Sequence, residues 1–214
     1  MAMRGWLLLA LAIAAVGWWF SPLSPRTPPV AVLAAGADPH CPPPPRVHAG
    51  AAPLQSAVPA SLRPFRLAAA QLQPLAGFSV DARVLSRKDY RRGREAALSP
   101  TDLALGWGAM AAADMAERLH VSQSGRWYHY RWSGEPPLPP RQIAQSSANM
   151  HLIPSDAAVA AALRQVRAGE RVRIDGWLVE AAAGDGWRWR SSLSRADTGA
   201  GACEVIYVCA LSRE

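Results

Sequence analysis

Residues 146–209 read SSANMHLIPSDAAVAAALRQVRAGERVRIDGWLVEAAAGDGWRWRSSLSRADTGAGACEVIYVC, and the patterns inside this stretch set the expected fold. Met150, Leu152 and Pro154 alternate with His151 and Ile153, a period-2 pattern that predicts a strand. Val159, Leu163 and Val166 then recur at helical spacing between Ser155 and Gly169. That predicts a helix capped by Ser155, running through Arg167 and stopped by the glycine. From Arg171 to Ala181 the period returns to 2, with Val172, Ile174 and Leu178 inward and Arg173, Asp175 and Trp177 outward. Gly184-Asp185-Gly186 makes a tight turn into a strand over Trp187–Ser194. After the loop ADTGAGA, Glu204–Leu211 reads as a final strand, apolar on both faces.

Upstream, Phe78, Val80, Ala82 and Val84 alternate with polar residues and predict a half-buried strand, followed by SRKDYRRGRE as a loop. Ser99-Pro100-Thr101-Asp102 carries helix-start chemistry, so a short helix through Leu105 is expected, and a second over 111–119. RWYHYRW (126–132) predicts a strand with Trp127, His129 and Arg131 on one face and Arg126, Tyr128, Tyr130 and Trp132 on the other. The expected fold over residues 75–214 is α+β: a small curled antiparallel sheet or OB-like barrel with a few short helices.

The N-terminal part has a different character. Residues 5–20, GWLLLALAIAAVGWWF, are uncharged and follow Arg4. The expectation is a transmembrane signal-anchor over 1–21 that embeds in the bacterial inner membrane as a single pass. The chain beyond it would lie in the periplasm. A cleaved signal, with release into the periplasm, is the alternative. Twelve of the nineteen prolines lie between Pro22 and Pro64. Residues 22–74 are therefore expected as a disordered Pro/Ala-rich linker, extended where the prolines run together. Such tracts also serve as ligands for proline-reading modules.

Charge argues little for a polyanion partner. Of the net +7, +4 falls on residues 1–70, leaving +3 on the rest. A nucleic-acid-binding domain concentrates its basic residues on one face, so nucleic acid is an unlikely partner. Cys203 and Cys209 lie six residues apart on one expected strand, roughly 20 Å at strand rise, too far to bridge. Cys41 has the freedom to pair with either or with another chain, but three isolated thiols are the expectation.

Several motifs invite chemistry. Asp197-Thr198-Gly199-Ala200 has the aspartic-protease spelling, but it follows Ser194-Arg195-Ala196 rather than a hydrophobic strand end. It reads better as a glycine-assisted turn. His151 and Cys203 have the residue types of a nucleophile pair, yet Glu204 beside the thiol works against a thiolate. The histidine spacings match no compact metal-ligand pattern, and no metal or cofactor is expected. The aromatic and arginine residues of 126–132 and 187–190 suit either a stacking surface or core packing. What remains is a polar cluster at two strand ends, and Ser147, Asn149, His151, Ser192, Ser194, Arg195 and Asp197 are the expected ligand-binding residues.

The strings SANMHLIP (147–154), VRIDGWLV (172–179) and SSLSRADTGAGACEVIYV (191–208), with SPTDLALGWG (99–108) as a weaker addition, resemble a group of uncharacterised bacterial membrane-anchored proteins. The resemblance spans about residues 75–210 and implies one folded unit, with no catalytic role to carry over. The expected function is a membrane-anchored periplasmic binding or assembly module with an envelope protein or glycan as ligand. The alternative is a cell-envelope hydrolase built on His151, Asp197 and Cys203.

Overall fold

The computed structural model describes residues 2–19, 41–194, 197 and 202–213. In chain order the elements are α1 (Ala2–Trp19), β1 (Leu54–Ser56), β2 (Phe65–Arg66), β3 (Gln71–Asp89), α2 (Arg94–Leu98), β4 (Thr101–Gly106), α3 (Met115–Arg118), β5 (Ser122–Ser124) and β6 (Trp127–His129). There follow α4 (Pro140–Gln145), β7 (Ser147–Pro154), α5 (Ala157–Gln165), β8 (Arg171–Ala182), β9 (Arg188–Arg190) and β10 (Glu204–Arg213). The class is α+β, with a sheet-rich core and few short helices.

Five strands close on themselves. β3 pairs with β4, β4 with β7, β7 with β10, β10 with β8, and β8 returns to β3. Four of these pairings are antiparallel, but β7 and β10 run parallel, which corrects the expectation of a wholly antiparallel sheet. The parallel pair follows from the chain path: β8 intervenes in sequence and takes its place on the far side of β10.

β3 makes the closure possible. It is 19 residues long, and register shifts at Pro74/Ala76 and Val84/Ser86 mark irregularities that bend it. Bulges of this kind increase local twist and let one strand serve two partners. Residues 71–83 pair with β8 and residues 83–89 with β4. The alternation expected over 78–84 holds, but the strand runs on through Asp89, where a loop was expected.

Inside the ring lie Phe78, Val80, Leu103, Leu105, Met150, Leu152, Ile174, Leu178, Ile206 and Val208, with Val159, Leu163 and Val166 of the α5 region packed on them. The period-2 phases of β7 and β8 thus point as expected. The cap of α5 shifts by one residue: Asp156 Oδ1 accepts the Val159 N–H at 2.8 Å. Ser155 instead donates its backbone N–H to the Val208 carbonyl, tying the helix entry to β10.

Three further expectations are corrected. Thr101–Gly106 is strand β4, not helix, because Leu103 and Leu105 are needed inside the ring while Asp102 and Ala104 face outward. Tertiary burial overrides the local cap signal. Residues 41–74, expected as linker, belong to the folded unit: β1 and β2 pair with β3, and Val47, Leu67 and Leu72 are buried. The N-terminal segment does form a helix, but its 18 residues span roughly 27 Å against a hydrocarbon core of about 30 Å. Among the described residues no helix is long and apolar enough to cross a membrane, which replaces the expected transmembrane helix.

Candidate functional site

The ring's outer face over β4 and β7 is polar where a strand beneath a covering segment would ordinarily be apolar. Register sets Asp102 opposite His151 and Ala104 opposite Asn149. The pleat turns Asp102, Asn149 and His151 away from Leu103, Met150 and Leu152, which fill the interior. All three polar residues are buried. The β5–β6 hairpin covers Asp102 and Asn149, and Trp189 of β9 packs on His151.

The tip of that hairpin is a two-residue turn, Gly125-Arg126, with positive φ at both positions (56° and 71°). Turns of this handedness match strand twist and favour Asn-Gly or Gly-Gly, so an arginine here costs about 1 kcal/mol. Its contacts offset that cost. The Arg126 backbone N–H donates to Tyr90 Oη at 3.1 Å, and its carbonyl accepts Asn149 Nδ2 at 2.9 Å. Nη1 donates to Asp102 Oδ1 at 2.6 Å, and the guanidinium lies 3.8 Å above the Tyr90 ring and 5.6 Å from that of Trp189. Backbone and side chain together wedge the hairpin onto the ring.

Asp102, fully buried, is the centre of this network. Ser99 Oγ reaches its Oδ1 at 3.5 Å and Asn149 Nδ2 its Oδ2 at 3.4 Å. His151 Nδ1 stands 3.0 Å from Oδ2, but the ring is not turned to make an aligned hydrogen bond. The ring of His151 packs 4.8 Å from Trp189. Asn149 Oδ1 accepts Gln123 Nε2 at 2.6 Å.

Beside the network opens a niche of roughly 180 Å³, lined by Trp127, Tyr128, Tyr130, Ser147, Asn149, Asp197 and Cys203. Tyr128 Oη and Ser147 Oγ lie 3.0 Å apart, and Ser147 donates to the Ile143 carbonyl at 2.7 Å. Burial pushes the Tyr128 phenol up to about 12, against the hydrogen bond to Ser147. Burial, with the negative charges of Asp102 and Asp197, pushes the Cys203 thiol up to about 11. The sulfur's partner is the Arg126 carbonyl, 4.0 Å away. Among the described residues it makes no hydrogen bond with His151.

The expected site residues separate into two groups. Ser147, Asn149 and His151 share the outer face of β7, but only Ser147 and Asn149 line the niche. Ser192 and Ser194 follow β9. Ser192 Oγ is 2.5 Å from Asp197 Oδ2, accepts the Ser194 N–H at 2.9 Å, and its backbone N–H donates to the Cys203 carbonyl. Arg195 and Thr198-Gly199-Ala200 lie outside the described residues. Sequence reasoning missed Asp102, Arg126, Tyr90 and Gln123. The alternation of Leu103 and Leu105 around Ala104 was the available sign that Asp102 sits on a strand.

Two of the three cysteines are bonded. Cys41 and Cys209 form a disulfide with Cα atoms 5.1 Å apart, correcting the expectation of isolated thiols, and Cys203 is free. No group of three or more His, Cys, Asp or Glu side chains among the described residues is placed to hold a metal ion. Comparison with known proteins finds no matching family model, no matching curated protein and no matching solved structure.

Proposed function

We propose that the chain is a periplasmic binding module with an OB-like barrel, and that its ligand is a sugar residue of an envelope glycan. The barrel reading rests on strand order. Numbering the ring strands along the chain, the order is 1-2-3-5-4 and back to 1, with the parallel pair between the third and fifth and a helix between the third and fourth. Small barrels of this type bind oligosaccharides and oligonucleotides over their second and third strands. Those are β4 and β7 here, the strands under the polar network.

The observation that carries the ligand reading is the composition of the niche. Aromatic walls supply faces for a sugar ring, with Trp127 42% exposed at the mouth. Asp197, with the lone pairs that Ser147 and Asn149 leave over, supplies acceptors for hydroxyls. At roughly 180 Å³ the niche takes one ring rather than a drug-sized ligand of 300 Å³ or more. Export to the periplasm is supported by the disulfide, since such bonds persist in oxidising compartments. The apolar helix ahead of the domain then acts as an export signal. The resemblance to bacterial membrane-anchored proteins agrees with this location and carries none of the argument.

The hydrolase alternative has less support. Burial and two carboxylates hold the Cys203 thiol well above the usual range, and His151 is occupied by Asp102 and Trp189. Peptidoglycan fragments titrated into the full oxidised chain test the binding reading. Saturable quenching of tryptophan fluorescence is expected, and Trp127→Ala and Asn149→Ala should each weaken it by tenfold or more. Absence of saturable binding by any fragment, or binding untouched by both substitutions, overturns it.

A further inference from the structure

On the opposite side of the ring, Cys41-Pro42-Pro43-Pro44-Pro45-Arg46-Val47 lies against the outer surface of β3, β8 and β10. Burial along this heptapeptide has a period of three. Pro44 and Val47 are buried and Cys41 packs on the outer core, while Pro43, Pro45 and Arg46 stand exposed. That is the periodicity of a polyproline II helix, which brings every third side chain to one edge.

The surface beneath matches that edge residue by residue. Trp177 Nε1 donates to the Pro42 carbonyl at 2.9 Å. Gly77 leaves the slot for Pro44: a Cβ there would stand 2.9 Å from the proline Cβ. Ser79 Oγ accepts the Val47 N–H at 2.9 Å and donates to Asp175 Oδ1 at 2.6 Å. Asp175 Oδ2 meets Arg46 Nε at 3.0 Å. An indole N–H on a proline carbonyl, a slot for a buried ring and a carboxylate for a flanking arginine are the elements by which proline-rich peptides are read.

We propose that this face is a polyproline-recognition groove for segments of the type Pro-Pro-Pro-Pro-Arg, occupied in cis by residues 41–47 and locked by the Cys41–Cys209 disulfide. A dithiol reductant unlocks it. Two electrons and two protons pass to the bonded sulfurs, giving two thiols, and the reductant leaves as its own disulfide. The released segment then exchanges with a proline-rich segment of another chain.

A fluorescent SPPPPRV peptide tests this by anisotropy against the full-length chain carrying Cys41→Ser and Pro44→Gly, its fold checked by circular dichroism. Saturable binding is expected, at least tenfold weaker when Trp177→Phe or Asp175→Asn is added or when the peptide's arginine is replaced by alanine. The oxidised wild type should bind at least tenfold less. Equal binding of SGGGGRV, or no more binding than the oxidised wild type shows, overturns the proposal. If the detached variant does not fold, reduced wild type supplies the measurement through the Trp177 indole proton. A shift of that resonance on adding millimolar SPPPPRV supports the proposal, and an unmoved resonance refutes it.

Discussion

Removing the arginine at the hairpin tip should cost more than its position on a surface turn implies. Arg126→Ala leaves Asp102 with no exposed surface and without its guanidinium partner, whereas the Arg126 side chain itself is 18% exposed. Breaking a buried pair from one side costs about 3–5 kcal/mol, and partial solvent access puts this pair at the lower end, about 3 kcal/mol. For a domain of this size that is a fall in Tm of about 6–12 °C. Alanine keeps the strain of φ 71°, so Arg126→Gly should be the milder change by about 1 kcal/mol. Asp102→Asn alone should cost about 1–2 kcal/mol, since the arginine retains access to water. The double variant Arg126→Ala/Asp102→Asn should recover part of the loss, with a coupling of about 2 kcal/mol by urea unfolding. Additivity within about 0.5 kcal/mol, or glycine no better than alanine, would refute the account of the hairpin as a wedge paired to a buried charge.

Four other outcomes follow from the geometry. The Cys203 thiol, raised to about 11 by burial and two carboxylates, should alkylate slowly at pH 7.5 and accelerate about tenfold per pH unit up to that value; a plateau near pH 8.5 in the rate profile would contradict it. Gly176→Ala sets a Cβ against the Tyr207 carbonyl and 3.0 Å from Val208 Cα, so closure between β8 and β10 should weaken by about 3 kcal/mol. Gly184→Ala meets nothing within 4 Å and should be neutral in the same denaturation assay. Burial alone would raise Asp81, but hydrogen bonds from Arg171 and Arg173 outweigh it and hold the carboxyl below its usual range. Its stabilising contribution is therefore complete above about pH 4 and lost as pH falls through the lowered value, so Asp81→Asn should flatten the acid limb of a stability–pH curve.

The ring was legible wherever polar and apolar side chains alternate along a strand. Phe78–Val84 and Val172–Leu178 declared their phase, because alternation is read directly from the order of side chains, whereas Glu204–Leu211, apolar on both faces, declared only a buried strand. β4 was not, because Ser99-Pro100-Thr101-Asp102 carries a true local helix signal that only the burial of Leu103 and Leu105 overrides. The site was half legible for a related reason. Ser147, Asn149 and His151 announce themselves on one strand, but Asp102 and Arg126 acquire meaning only when the β5–β6 hairpin folds back over β4 and β7. The role of residues 41–47 was obscured by composition. Prolines that exclude a regular core also make a rigid rod, and nothing in residues 41–47 says that Gly77 and Trp177 will receive it.

The position of β10 bears on how the molecule is made. Among the described residues it is the last strand in chain order, yet it sits between β7 and β8 and carries the sulfur that receives Cys41. Until it emerges from the ribosome, two strand edges stand open, and neither the ring nor the covalent tether exists. Folding dominated by such distant pairings is slow. The ring therefore closes only once β10 is made, and the tether to Cys41 can follow only when Cys209 is available.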